Sequence, residues 1–252
     1  MSIRPGSPPR ESPDAPDTLG SPAALGSSAP AAVGLLLAAG AGRRMGGPKG
    51  LLRDADGTPW VARAAGALRD GGCEPVIVIV GAAASEVAAL VPAWAHVVPA
   101  PDWADGMGAS LRAGLAAAEH SSGPGRAELS GTAAELAVVT LVDLPGVDAA
   151  VVARLLDRCP PGAPDAAHAL VRAGYDGVPG HPVVLGRAHW ADVAASAHGD
   201  AGARDYLRER EVTLVECGDL AHGDDVDEPG HFGGPREEPL DGPGSPKSAA
   251  RR

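Results

Sequence analysis

Aromatic side chains are scarce: one Phe, two Tyr and four Trp in 252 residues, or 3%. Proteins that grip single-stranded nucleic acid stack bases on aromatic platforms along a basic groove. This chain is poor in the first and has the wrong overall sign for the second. Its 32 acidic residues outnumber 21 basic ones, for a formal charge of −11. A nucleic-acid partner is therefore not expected. Cysteine is also rare. Cys73, Cys159 and Cys217 are far apart, odd in number and form no CxxC pair, which argues against a zinc site or a disulfide framework. Free thiols in a reducing compartment are the expectation. No run of 18 apolar residues occurs, so no membrane-spanning helix is expected. The first 20 residues, MSIRPGSPPRESPDAPDTLG, lack the apolar stretch of a secretory signal. These absences together point to a cytoplasmic soluble protein.

Glycine (35) and proline (25) are abundant instead, and much of the excess sits at the two ends. Residues 1–31 and 230–252 read as disordered tails. The remaining stretch, 32–229, is long enough to bury a sizeable core. Within it apolar, β-prone runs alternate with helical patterns. Strands are expected at Val33–Ala38, Val76–Val80, His96–Pro99, Leu136–Val142 and Val212–Glu216. A strand pair is expected from Ala167–Ala173 and Pro182–Leu185 across a turn at Gly174–Gly180. Helices are expected at Pro59–Arg69, Ser85–Val91, Ser110–Glu119 (with Ser110 as cap), Val147–Cys159, His189–Ala197 and Ala203–Glu209. Residues 121–134 read as a Gly/Ser-rich loop. Strands without polar alternation, spaced by helices, predict a mostly parallel sheet covered on both faces, a three-layer α/β domain. The strand pair makes that sheet mixed.

The stretch LLLAAGAGRRMGGPKGLL, residues 35–52, carries the strongest chemical signal. Val33–Ala38 delivers the chain to the carboxyl end of a strand, where open α/β sheets bind ligands. Gly40 and Gly42 remove side chains there, so a phosphate can approach the backbone closely. Arg43, Arg44 and Lys49 add positive charge suited to phosphate oxygens. The spacing Gly40-x-Gly42-x-x-x-Gly46 fits neither the dinucleotide fingerprint nor the Walker pattern, since Gly50 follows Lys49 where Ser or Thr is required. Gly81 follows the strand VIVIV and sits at another carboxyl end. Asp143 follows the strand Leu136–Val142. A carboxylate there is costly without a partner, and a divalent cation on a polyphosphate is a suitable one.

The same stretch resembles the N-terminal motif of the MobA-like nucleotidyltransferases, LAAGxSxRMGxxKxLL. Later segments resemble the molybdenum cofactor cytidylyltransferase branch: PDWADGMGASLRAGL at 101–115, TLVDLPGV at 140–147, PGHPVVL at 179–185, GDAGARDYL at 199–207 and DDVDEP at 224–229. The resemblance spans about 33–229. It implies a Rossmann-like nucleotidyltransferase domain that uses Mg²⁺ and moves a nucleoside monophosphate, from CTP, onto a phosphorylated acceptor such as the molybdopterin cofactor. It also implies a possible molybdoenzyme or maturation-factor partner. GTP or another NTP with a sugar-phosphate or alcohol-phosphate acceptor is the alternative, as is a non-catalytic nucleotide-binding protein. Loss of Lys49 or Asp143 would mark the latter, and both are present.

Carried over residue by residue, the resemblance makes Lys49 and Arg44 phosphate ligands, with Arg43 at a variable, solvent-facing position. Ala38, Ala39 and Gly40 become the wall against the base, and the second alanine is closer to the cytidylyl than the guanylyl pattern. Asp143 becomes the metal ligand. Leu144 stands where the family often has Gln or Met. Asp227 matches a second metal aspartate, with Asp225 as the alternate, although Glu228 replaces the usual Thr. Ser110 falls beside nucleotide or acceptor. His181, Asp200 and Arg204 match the acceptor-side segments GHP and GDxGAR. An Asp200–Arg204 ion pair at i,i+4 is the competing structural role.

Overall fold

The computed structural model describes residues 32–121 and 134–226. The tails and the loop expected at 121–134 lie outside these residues, apart from the loop's ends. Among the described residues, seven strands form one sheet. They are β1 Ala32–Ala38, β2 Cys73–Val80, β3 His96–Pro99, β4 Leu136–Leu141, β5 Leu170–Tyr175, β6 Val178–Gly186 and β7 Thr213–Glu216. Their order is β3-β2-β1-β4-β6-β5-β7. Strand β6 alone runs against the others: it is antiparallel to β4 and β5, while the remaining pairs are parallel. This is the mixed, largely parallel sheet that the sequence predicts.

Both faces are covered because successive residues of the central strands are nearly all apolar and point to opposite sides. On one side, Leu36, Val76, Val78, Val80, Leu136 and Val138 pack with residues of α1 (Trp60–Asp70) and α4 (Ala149–Arg158). On the other, Leu35, Leu37, Ile77, Ile79, Ala137 and Val139 pack with residues of α3 (Met107–Ser121), α5 (Trp190–Ser196) and α6 (Arg204–Arg208). A short helix, α2 (Ala84–Ala88), follows β2 and buries Val87. Trp60, Trp190, Leu35 and Ile77 are almost fully buried, each contributing on the order of 2 kcal/mol.

Local chemistry sets the element ends. Asp148 caps α4, its carboxylate accepting from the N–H groups of Ala150 (2.9 Å) and Val151 (3.2 Å). The β5–β6 turn is tighter than the expected Gly174–Gly180. Asp176 and Gly177 both have positive φ, and this Asp-Gly pair closes the hairpin in two residues. Helix α3 begins earlier than expected. Gly106, at φ 103°, carries the chain into it, so Ser110 is a buried residue of its first turn rather than its cap. All three cysteines are buried and free. Among the described residues, no helix is long and apolar enough to cross a membrane.

Candidate active site

The order of winding reverses at β1: the chain passes from β1 to β2 on one side, while β4, parallel to β1, lies on the other. Such a switch point opens a crevice at the carboxyl ends of the strands. Here it is a cleft of about 440 Å³, floored by Leu37, Ala39, Leu141 and Val142. The loop 40–45 and Lys49 form one wall. The other comes from Trp103, Gly106, Met107, Ser110 and Asp200. Asp143 stands between them.

The loop is shaped by backbone. Gly42 adopts φ 55°, and its carbonyl accepts from Met45 (2.9 Å) and Gly47 (3.2 Å). A Cβ at Gly42 would lie 1.9 Å from the Gly47 carbonyl oxygen. Gly42 is therefore required by the turn. Gly40 differs: a Cβ there would meet nothing within 4 Å, so its missing side chain leaves open space in the cleft. The short helical turn Arg43–Met45 then presents two exposed arginines on the cleft rim. Arg43 lines the cleft together with Arg44, rather than simply facing solvent.

Lys49 and Asp143 meet directly. Lys49 Nζ donates to Asp143 Oδ2 at 2.7 Å, with the two side chains only 14% and 16% exposed. The residues are 94 apart in sequence. Asp143 is also fixed through its backbone, since its carbonyl accepts from the Val226 N–H at 3.1 Å. The segment that resembles a metal motif thus touches the Asp143 turn. Asp227 itself lies outside the described residues, and the alternate Asp225 is exposed and does not line the cleft.

The remaining candidates divide. Ala39, Gly40, Gly42, Arg44, Lys49, Ser110, Asp143 and Asp200 line one cleft. Ala38 is buried beneath it at 1% exposure. Gly81 does not line it either. Its Cβ position falls 2.5 Å from the Trp103 ring and 2.8 Å from Ala39, so its role is to let Trp103 lie against the sheet. Trp103, a cleft residue, was not singled out by the motifs. A tryptophan in a chain with four of them, inside the segment PDWADGMG, was the available signal.

His181 and Arg204 stand outside the cleft lining. Burial, with Arg172 and Arg204 nearby, pushes the His181 imidazole down to about 4. It is therefore neutral near pH 7. Arg172 lies in β5 and donates from Nε to the Gly180 carbonyl at 2.7 Å, while Tyr175 donates to the His181 carbonyl at 2.7 Å. Burial first, then Arg204, lowers the Arg172 guanidinium as well. Neither Arg172 nor Arg204 forms an ion pair among the described residues, so the expected competing pair Asp200–Arg204 is absent there. The two arginines and the neutral histidine make a cationic corner beside β6, the neighbour of β4.

Among the described residues no group of three or more His, Cys, Asp or Glu is placed to hold a metal by itself. Mg²⁺ does not demand one: it is often held by one or two carboxylates together with phosphate oxygens. Asp143, beside a loop built for phosphate, fits that donor set.

Comparison with known proteins agrees with this geometry. Residues 34–214 match the family model of the MobA-like NTP transferase domain. The chain is 38% identical over 203 residues to nicotine blue oxidoreductase of Paenarthrobacter nicotinovorans, covering 79% of this chain and 93% of that protein. Rv0371c of Mycobacterium tuberculosis H37Rv superposes with a TM-score of 0.62 at 29% identity, over 79% of this chain and 94% of that one. Its complex with manganese also superposes, with a TM-score of 0.56 at 26% identity, over 74% and 88% of the two chains. Molybdopterin-guanine dinucleotide biosynthesis protein A from Archaeoglobus fulgidus, at 15% identity and TM-score 0.53 over 78% and 93%, shares the fold. The chain belongs to the MobA-like NTP transferase family, and its chemistry is NTP transfer.

Proposed function

We propose that the cleft binds an NTP as its Mg²⁺ complex and transfers the nucleoside monophosphate to a phosphorylated small molecule. The observation that carries this reading is the Lys49–Asp143 pair at 2.7 Å beneath the glycine loop. A fixed cation and a metal-ready carboxylate meet where a triphosphate would lie. Lys49 and Arg44 neutralise charge that builds on the α-phosphate and on departing pyrophosphate. Asp143 holds the nucleotide's metal, which supplies further charge neutralisation when bound. The manganese complex of Rv0371c supports a divalent ion in this fold. Val226 brings its segment to the Asp143 backbone, which supports the next residue, Asp227, as a second carboxylate.

No enzyme nucleophile is needed. An acceptor phosphate oxygen attacks the α-phosphorus, a new P–O bond forms, and the α–β bridge breaks to release pyrophosphate. The protein's part is alignment and electrostatics. The cationic corner of Arg172, Arg204 and neutral His181 supports an anionic, phosphorylated acceptor approaching from the β6 side. A molybdopterin-type cofactor is the leading acceptor, and sugar or alcohol phosphates are the alternative. CTP was the expected donor, from Ala39. The name of the Archaeoglobus protein carries guanine, so GTP stands equally beside CTP.

A second reading rests on the name of the 38% identical relative, an oxidoreductase. A phosphate-binding loop at a switch point also suits the pyrophosphate of a nicotinamide dinucleotide. Titration with CTP, GTP, ATP and UTP with Mg²⁺, and with NADH and NADPH, separates the two. The transferase reading expects NTP binding that Mg²⁺ strengthens and that Asp143→Asn weakens in the presence of Mg²⁺. Binding of a reduced dinucleotide alone would replace it.

A further inference from the structure

The carboxylate that carries the proposed function sits at the start of a turn, Asp143-Leu144-Pro145-Gly146. β4 ends at Leu141; beyond it, Val142 still donates to the Leu37 carbonyl and Val147 to the Leu144 carbonyl, each at 3.2 Å. Remote contacts on two sides hold the turn further. On one side, Val226 donates to the Asp143 carbonyl, and Gly146 packs so closely on His222 that a Cβ would lie 2.7 Å from its carbonyl oxygen. On the other side is Arg63, in α1. Its Nη1 donates to the carbonyls of Leu144 (3.3 Å) and Pro145 (3.1 Å). Its Nε donates to Asp54 Oδ2 at 2.9 Å, and its guanidinium lies 5.8 Å from the Trp60 ring centre.

This arrangement is costly for stability alone. The Arg63 side chain is 21% exposed, and its Nη2 is buried without a hydrogen-bond partner. Buried donors are seldom left unpaired. Two of its hydrogen bonds end on the two carbonyls that directly follow the key carboxylate. Asp54 is itself held in a tight turn, where its N–H donates to Thr58 and its carbonyl accepts from Gly57, each at 2.9 Å. The guanidinium is thus anchored at one end and grips the Asp143 turn at the other.

We propose that Arg63 is a positioning residue: held by Asp54, it ties the carbonyls of Leu144 and Pro145 and thereby sets the Asp143 carboxylate against Lys49 and the metal–nucleotide complex. The role in nucleotide binding rests on the transferase reading, whereas the setting of the ion pair does not. Arg63 acts through the turn and touches no reacting atom. Lysine at this position reaches fewer of the three acceptors, because it lacks the planar fork.

The test has two arms, both on the full chain. The first needs no ligand. A double-mutant cycle of Lys49→Met and Asp143→Asn, read by denaturant unfolding, measures the coupling of the ion pair. Repeating the cycle with Arg63→Gln should shrink that coupling at least twofold, with Arg63→Lys intermediate. Undiminished coupling would overturn the proposal. Should Arg63→Gln fail to fold, Asp54→Asn, which only frees the anchor, is predicted to act in the same direction. The second arm titrates Mn²⁺ by electron paramagnetic resonance in the presence of CTP or GTP. Arg63→Gln should weaken metal–nucleotide binding about tenfold without weakening metal-free nucleotide binding. Reduced coupling with no nucleotide binding even by the wild type would remove the transferase reading and leave the positioning role standing. Wild-type Mn²⁺–nucleotide affinity in Arg63→Gln would overturn the link to the ligand.

Discussion

Replacing Asp143 by Asn should change nucleotide affinity in opposite directions with and without metal. In the ligand-free chain the Lys49 ammonium is held by Asp143 at 2.7 Å, with both side chains about one-sixth exposed. A triphosphate arriving without metal must draw Lys49 away, and its charge then faces the Asp143 carboxylate. At about 4 Å such a like-charge contact costs roughly 1 kcal/mol in water and about 4 kcal/mol at the effective dielectric of a protein surface. Asparagine keeps the shape and removes the charge. Metal-free NTP binding by Asp143→Asn should therefore strengthen about tenfold or more. With Mg²⁺ the sign reverses, because the carboxylate becomes a ligand. Loss of a charge-assisted contact of about 1.5–3 kcal/mol weakens binding roughly tenfold to a hundredfold. Isothermal titration with and without Mg²⁺, at fixed ionic strength, reads both numbers. A change of the same sign in both conditions, or no change in either, would refute the placement of Asp143 between lysine and metal.

Further outcomes follow from the same geometry. Gly40→Val should keep the melting temperature within about 2 °C and weaken NTP binding at least tenfold, because its side chain enters open cleft. Gly42→Ala should instead destabilise by about 1–3 kcal/mol, since its Cβ strikes the Gly47 carbonyl; denaturant midpoints separate the two. His181 titrates near 4 in the fold and near 6.5 unfolded. The unfolded chain binds the extra proton first, so stability is complete above about pH 6.5 and falls as pH drops towards 4, by a few kcal/mol at most. His181→Gln should flatten that part of the pH profile. Asp148→Ala removes the α4 cap and should cost about 1 kcal/mol, lowering the melting temperature by about 2–4 °C without altering nucleotide affinity.

The centre of the sheet was readable because its strands there are nearly uninterrupted apolar runs. Val76–Val80 falls within β2, and Leu136–Val142 covers β4 with one extra residue. Such runs occur where a strand is buried on both faces. Boundaries set by a single backbone angle were less readable. Gly106 starts α3 three residues before Ser110, and helical periodicity does not register a glycine's φ. The Asp176-Gly177 turn was present as a dipeptide but diluted among neighbouring glycines. The phosphate loop was legible because its residues are contiguous. The Lys49–Asp143 contact was not, since 94 residues separate the partners. Arg63 was invisible for the same reason: its carbonyl partners lie 81 and 82 positions away, and an arginine in an amphipathic helix otherwise reads as surface.

The most direct measurement is a calorimetric titration of the wild-type chain with CTP and GTP in Mg²⁺, beside Lys49→Met and beside NADH. The account predicts that at least one triphosphate binds, that Mg²⁺ strengthens its binding, and that Lys49→Met weakens it about tenfold or more. Tight binding of NADH with no triphosphate binding, or triphosphate binding indifferent to both Mg²⁺ and Lys49, would contradict it.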